Sequence, residues 1–167
     1  LHNLYQNHKM YYKNLVLNSE EMIQNYSKMY ILRLPSVWGI KKNPTRPVGL
    51  IGNILEATKT YREVKIYGEM HTLRNYISAN QISENIYQLI FDDSKKEKVY
   101  NFFSNFNFTV YELIHLIKKL TKKQVFYNVI MGSPAERESY KLLPKDGKNI
   151  IVLECLYSEI LREWRNL

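Results

Sequence analysis

The feature of this sequence that most constrains its fold is a regular alternation of helix-like and strand-like segments. In the helix-like segments apolar residues recur every three or four positions, whereas the short segments between them are rich in β-branched and aromatic residues. This order predicts an α/β protein. We predict helices over residues 5–26, 48–59, 78–91, 109–120 and 156–164, and strands over residues 30–34, 64–67, 74–77, 99–103 and 124–130.

Two further segments carry loop signals, and one position carries the signal of a helix start. Residues 39–47 contain two prolines among basic side chains, and residues 132–147 have a similar composition. Thr109 is followed three residues later by Glu112, which is the pattern of a capping box. We therefore predict loops in the first two segments and a helix beginning at Thr109.

Size and composition favour one compact region spanning residues 1–167. Of the 167 residues 45% are hydrophobic and 24% charged, and no apolar run reaches the roughly 18 residues of a membrane-spanning helix. Cys155 is the only cysteine, which excludes an internal disulfide and favours a reducing compartment. No signal peptide is recognisable, so we expect a cytoplasmic protein. The first residue is Leu1 rather than Met. We therefore expect a processed chain or a piece of a longer protein.

The net charge of +8 raises nucleic-acid binding as one interpretation. The basic residues are scattered, however, apart from four lysines between positions 118 and 123. These lysines lie at the end of a predicted helix, where cations complement the helix dipole. Nucleic acid is therefore an unfavoured partner. That interpretation would rest on charge and on aromatic residues such as Phe102, Phe103, Phe106 and Phe108.

Phosphate-binding loops and metal-ligand patterns are absent from the sequence. The six glycines are spread singly and form neither the dinucleotide-binding nor the P-loop pattern. The four histidines lack the spacing of metal ligands, so we expect no metal site.

A Tyr-x-x-x-Lys pair, Tyr5 and Lys9, lies in the first predicted helix. The two side chains are one helical turn apart on the same face. An ammonium beside a phenol favours the phenolate, which lowers the tyrosine pKa toward a value useful for proton transfer near neutrality. The same spacing recurs at Tyr61 and Lys65, so this pattern alone leaves a structural and a catalytic role equally open.

The order of motifs after this pair resembles the extended short-chain dehydrogenases/reductases, the nucleotide-sugar epimerases, dehydratases and reductases. Residues 30–39 are similar to the family strand that ends Asn-Val-Tyr-Gly, and residues 67–79 to its Arg-Asp-Tyr/Phe-Ile segment. Residues 99–113 resemble its Tyr-Asn and Thr-x-x-Glu-Leu segment, and residues 157–164 its closing helix. The resemblance is collinear over residues 5–125 and poor from 126 to 155.

The resemblance implies a catalytic pair and a cofactor. Tyr5 would be the general acid/base that moves a proton on a sugar hydroxyl or carbonyl, and Lys9 would lower its pKa and bind the nicotinamide ribose. Pro35 and Val37 would lie beside the nicotinamide of NAD or NADP. A homodimer through the helix over residues 5–26 is a further expectation.

The resemblance also implies two contacts with a nucleotide-sugar substrate. Ser36, which stands where the family has Asn, would contact the sugar, although a turn or capping role is an equal alternative. Arg74 would clamp the diphosphate, a bidentate task that suits a guanidinium. The alternative for Arg74 is a structural ion pair with Glu69 or Glu84. Further departures from the family are Asn75 in place of Asp, Glu69-Met70 in place of a Gly-containing turn, and Asn80-Gln81 in place of an acidic pair.

In this family a Gly-rich cofactor-binding half precedes the Tyr-x-x-x-Lys helix. We therefore expect the C-terminal part of a Rossmann-like doubly wound sheet within residues 1–40, and a small α/β substrate-binding lobe over residues 41–167. Without the Gly-rich turn the isolated chain is expected to be inactive and to bind NAD(P) weakly. The alternative is a non-catalytic module that binds a nucleotide-sugar or a protein.

Overall fold

The computed structural model describes residues 14, 16, 18–22, 29–42, 45–91, 99–131, 150–153 and 156–167. Residues 18–22 are helical and precede the strands. The described strands are β1 (Ile31–Arg33), β2 (Ser36–Lys42), β3 (Thr45–Val48), β4 (Glu63–Tyr67), β5 (Leu73–Ser78), β6 (Val99–Ser104), β7 (Asn107–Thr109), β8 (Phe126–Ile130) and β9 (Ile150–Leu153). The helices after β3 are α1 (Gly49–Lys59), α2 (Ala79–Phe91), α3 (Val110–Thr121) and α4 (Leu156–Asn166).

The strands form three small sheets, in agreement with the predicted α/β class. The first is entirely parallel, with strand order β1-β6-β9. The second has the order β3-β2-β5-β7, in which β2 and β5 run parallel and both outer pairs are antiparallel. The third is the parallel pair β4-β8. Between β1 and β2 the chain passes from the first sheet to the second within two residues, at Leu34 and Pro35.

The predicted loop over residues 39–47 is wrong, because this segment forms a β-hairpin. β2 pairs with β3 in an antiparallel register that places Ile40 opposite Pro47 and Gly39 opposite Val48. A proline lacks the N–H that a central strand needs, but β3 lies at the edge of its sheet, where that loss is tolerated. Pro47 therefore marks an edge strand here.

Besides β2 and β3, the sequence did not predict the strands β7 and β9. β7 has three residues and pairs with the start of β5, too short for an alternation pattern. β9 consists of four consecutive apolar residues, which is typical of a strand in a parallel sheet covered on both faces. The predicted loop over residues 132–147 lies outside the described residues.

Helix α1 packs directly against the backbone of β2 through two glycines. A Cβ at Gly49 would overlap the carbonyl oxygen of Val37, and one at Gly52 would overlap that of Gly39. Gly49 also has a φ of +69°, which a residue with a side chain adopts at a cost. The helix and the strand therefore touch without a side-chain layer between them.

Two hydrophobic clusters hold the elements together. The larger lies between β2, β4, β5 and the helices α1, α3 and α4, and includes the fully buried Trp38, Ile54, Leu113 and Ile160. The smaller joins α2 to β5 and β6 through Ile77, Leu89 and Phe102.

The phenylalanines that would support nucleic-acid binding are not exposed stacking surfaces. Phe102 and Phe103 are buried, and the partly buried Phe106 contacts the rings of Phe108 and Tyr157. Phe102 and Phe103 therefore offer no exposed ring to a base.

Helix α3 begins with the predicted capping box. The Thr109 hydroxyl accepts a hydrogen bond from the Glu112 N–H at 3.1 Å, and the Glu112 carboxylate accepts one from the Thr109 N–H at 2.8 Å. The Thr109 hydroxyl also donates to this carboxylate at 2.8 Å, and the two hydrogen bonds from Thr109 to the carboxylate lower the pKa of Glu112, because they favour its ionised form.

Helix α4 is anchored by two buried glutamates to the end of β5 and the start of α2. The Ser78 hydroxyl donates to Glu159 at 2.8 Å, and the Asn80 amide donates to Glu163 at 2.7 Å. Carboxylates are thus present beside the position where the family has its acidic pair, but they come from α4.

Among the described residues no helix is long and apolar enough to cross a membrane. Within the same residues no group of three or more His, Cys, Asp and Glu side chains is placed to hold a metal ion.

Candidate functional site

A cleft of about 900 Å³ lies where β2, α1, β4 and β5 meet. Its walls are the start of β2, one side of α1 from Gly49 to Ala57, the strand β4, and Arg74 and Tyr76 of β5. Both acidic and basic side chains line it, namely Glu56, Arg62, Glu63, Lys65 and Arg74.

Four of the residues predicted to bind cofactor or substrate line this one cleft: Pro35, Ser36, Val37 and Arg74. Their positions are separated by nearly forty residues in the sequence, so the fold brings them together. Tyr5 and Lys9, the predicted catalytic pair, lie outside the described residues.

The pairing of β2 with β5 explains why Ser36 and Arg74 share a cleft. The two strands are parallel neighbours, and Ser36 lies opposite Tyr76. Arg74 is two residues before Tyr76 and therefore lies on the same face of the sheet. All three side chains line the cleft.

Arg74 is held in a defined position at the cleft wall. Only 6% of the residue is exposed, and its Nη1 donates a hydrogen bond to the carbonyl oxygen of Leu73 at 2.8 Å. A guanidinium has five N–H donors in a fixed plane, so a buried arginine in a cleft is suited to bidentate binding of an oxyanion.

Asn75, the next residue, faces the opposite side of β5 and joins the second sheet to the first. It is fully buried, and its amide donates to the carbonyl oxygen of Ser104 at the end of β6 at 2.7 Å. Its side-chain oxygen accepts the Ser104 N–H at 2.9 Å. This departure from the family therefore has a structural role, because an aspartate could not donate.

The cleft residues that the sequence did not indicate come mainly from α1 and β4. Arg62 forms an ion pair with Glu56 and donates from Nε to the Thr60 hydroxyl at 3.0 Å, which fixes both charges at one wall. Lys65 and Tyr67 lie on the exposed face of β4. The alternation of β4 was recognisable in the sequence, but nothing in it indicated that the strand lines a cleft.

The described residues do not provide the pyrophosphate site of a dinucleotide. Gly49 and Gly52, at the start of α1, have the spacing of glycines that make room for a phosphate at a helix N-terminus. The space in front of both is filled by the carbonyl groups of β2. We therefore assign no hydride-transfer step to the described part of the chain.

No protein-family profile matches this sequence, and no curated protein matches it. Solved structures do match. The UDP-N-acetylglucosamine 4-epimerase of Methanobrevibacter ruminantium, in complex with UDP-N-acetylmuramic acid, aligns with 89% of this chain and 49% of its own, at a TM-score of 0.62 and 15% identity. The UDP-glucose 4-epimerase of Thermotoga maritima, with UDP-glucose, aligns with 89% of this chain and 49% of its own, at a TM-score of 0.59 and 19% identity.

The structure of a dehydratase also matches this chain. The dTDP-glucose 4,6-dehydratase of Bacillus anthracis, in complex with NAD, aligns with 81% of this chain and 43% of its own, at a TM-score of 0.53 and 14% identity. The chain thus spans about half the length of these solved structures. Their common fold is that of the extended short-chain dehydrogenases/reductases of epimerase/dehydratase type, which confirms the fold predicted from the sequence resemblance.

Proposed function

We propose that this chain carries the nucleotide-sugar-binding part of an NAD- or NADP-dependent epimerase, dehydratase or reductase. The observation that supports this best is that Ser36 and Arg74, the two residues assigned to substrate by the resemblance, line one cleft. The matched structures include complexes with UDP-sugars and with NAD.

Within the cleft three residues are proposed to bind the three parts of the substrate. Arg74 binds the diphosphate through charge-assisted hydrogen bonds. Ser36 contacts the sugar through its hydroxyl group. Tyr67, half exposed in the cleft, offers an aromatic face to the nucleobase.

The catalytic pair is proposed on the resemblance alone. Tyr5 holds or moves the proton of a sugar hydroxyl, and Lys9 keeps the tyrosine pKa low. When NAD(P) is bound, it supplies hydride chemistry, with Lys9, Pro35 and Val37 beside the nicotinamide. A homodimer through the helix over residues 5–26 and a cytoplasmic location are part of the same proposal.

Titration calorimetry of the 167-residue chain with UDP-glucose and dTDP-glucose tests the proposed cleft. We expect saturable binding that is weakened by Arg74→Ala and unchanged by Arg165→Ala, an exposed arginine of α4 outside the cleft. Tyr5→Phe should leave this affinity unchanged, because it removes a proton carrier and not an anchor. If the chain binds neither UDP-glucose nor dTDP-glucose, the proposal is rejected.

A non-catalytic module that binds a nucleotide-sugar or a protein is the second candidate. The coding region upstream of Leu1 separates the two candidates. An in-frame Gly-x-x-Gly-x-x-Gly segment after a strand supports the enzyme, whereas a start codon close to Leu1 supports the module. In either case the 167-residue chain is expected to bind NAD weakly or not at all, and micromolar binding measured by nicotinamide fluorescence would contradict this.

A further inference from the structure

Three exposed and chemically different residues of β4 are among those that line the cleft. Burial alternates along this strand, so that Val64 and Ile66 are buried and Glu63, Lys65 and Tyr67 are exposed. The cleft is lined by the whole strand, the buried pair included. We call Glu63, Lys65 and Tyr67 the β4 face.

Lys65 is the cation of this face, and its charge is not neutralised by a neighbour. Among the described residues it makes no hydrogen bond or ion pair, and the ion pair of Arg62 with Glu56 satisfies the other exposed cation of the cleft. Glu63 precedes it by two residues on the same face, so its carboxylate reduces the local positive potential without contacting the ammonium.

The spacing along the β4 face matches the build of a nucleotide. Residues two apart on a strand lie about 7 Å apart and point the same way. In a nucleotide the base and the first phosphate are separated by one ribose ring, which is a comparable span. A base on the ring of Tyr67 therefore brings its first phosphate toward Lys65.

We propose that Lys65 binds the phosphate next to the nucleoside, so that a nucleoside diphosphate is held by Lys65 and Arg74 together. This inference rests on the proposed function and adds to it a residue that the family resemblance does not assign. It also fixes the direction of the ligand, with the nucleoside along β4 and the sugar toward the start of β2.

Binding of uridine, UMP and UDP to the 167-residue chain, followed by NMR chemical shifts, tests this proposal. Lys65→Ala should weaken UMP and UDP binding about three- to tenfold and leave uridine binding unchanged, because only the phosphates carry charge. Glu63→Gln should strengthen UMP binding. Lys119→Ala, an exposed lysine of α3 outside the cleft, is the matched control and should change nothing.

The salt dependence provides a second measurement. The affinity of UMP should fall with added salt less steeply in Lys65→Ala than in the unsubstituted chain, because the variant lacks the ammonium whose attraction to the phosphate salt screens. The role of Lys65 is rejected, and the proposed function stands, if UDP binding depends on Arg74 but is unchanged by Lys65→Ala. The same holds if Lys65→Ala weakens uridine binding as much as UDP binding. If no uridine compound binds, the proposed function itself is rejected.

Discussion

The side chain of Asn75 pairs with the backbone of Ser104 as a second peptide group would. Its amide donates to the Ser104 carbonyl and its oxygen accepts the Ser104 N–H, and a further hydrogen bond reaches the carbonyl of Phe106 at 3.2 Å. Both partners are buried. This one side chain therefore joins the cleft-bearing sheet to the parallel sheet, directly beside Arg74.

Asn75→Asp should destabilise the chain although the two side chains have the same shape. A carboxylate would face the Ser104 carbonyl and lose the hydrogen bonds that the amide donates to the carbonyls of Ser104 and Phe106 and to the side-chain oxygen of Asn107, at a cost of about 1–3 kcal/mol at neutral pH. That cost corresponds to a melting temperature lower by roughly 3–10 °C. The loss should shrink in acid, where a protonated carboxyl donates again.

Asn53→Asp is the control for this substitution. The Asn53 amide also donates to a backbone carbonyl, that of Gly49 at 2.7 Å, but the side chain is exposed. A change within about 0.5 kcal/mol is expected there. If thermal unfolding gives equal stabilities for Asn75→Asp and the unsubstituted chain, Asn75 does not join the sheets as described.

Arg74→Ala should weaken binding of a nucleotide-sugar much more than it lowers stability. Loss of a guanidinium–diphosphate contact costs about 1.5–3 kcal/mol. This corresponds to roughly 10- to 150-fold in affinity. Arg74→Lys should recover only part of the affinity, since an ammonium cannot make the planar two-pronged contact. Calorimetry and thermal unfolding of the same variants separate the effects. Lower stability with unchanged affinity would assign Arg74 to the structural alternative.

Gly52→Ala should destabilise the chain, which is opposite to its usual effect inside a helix. In an open helix the alanine would add about 0.5–1 kcal/mol of stability. Here its Cβ would overlap the carbonyl of Gly39, and the overpacking is expected to cost about 1–3 kcal/mol. Urea unfolding measures directly whether Gly52→Ala raises or lowers the free energy of unfolding. Gly39→Ala is a milder substitution for comparison and should cost less stability, because its Cβ would lie 3.3 Å from that of Ala79. A more stable Gly52→Ala would show that α1 can move away from β2.

The capping box should contribute stability in a pH-dependent way. The pKa of Glu112 is lowered in the folded chain, so its contribution is complete above the unfolded pKa and is lost as the pH falls through the folded value. Glu112→Gln should therefore be less stable than the unsubstituted chain at pH 7, and the difference should narrow in acid. Thr109→Ala should cost about 1 kcal/mol. A difference that is constant between pH 7 and pH 3 would contradict the assignment.

Local signals predicted most of the secondary structure because they depend on neighbours in sequence. The capping box at Thr109 and the alternation of residues 64–67 are of this kind, and both are present in the structure. The hairpin of β2 and β3 was missed because Pro47 is a loop signal unless the strand is known to lie at an edge. That knowledge depends on the whole sheet.

The candidate site was predictable only where a family resemblance supplied it. Ser36 and Arg74 were named in advance, and the structure places them on one face of neighbouring strands. Lys65 was noticed only as part of a second Tyr-x-x-x-Lys pattern. Its place in the cleft depends on how β4 packs beside α1, which no local pattern encodes.

The direct contact of Gly49 and Gly52 with β2 also determines how the cleft can move. Two backbones packed without intervening side chains cannot slide past each other without breaking close contacts, so α1 and β2 behave as one rigid wall. The opposite wall is β4, whose only strand partner among the described residues is β8. Val64 and Ile66 of β4 pack in the same hydrophobic cluster as Ile54 of α1, so we expect a ligand to enter the cleft without a displacement of this wall.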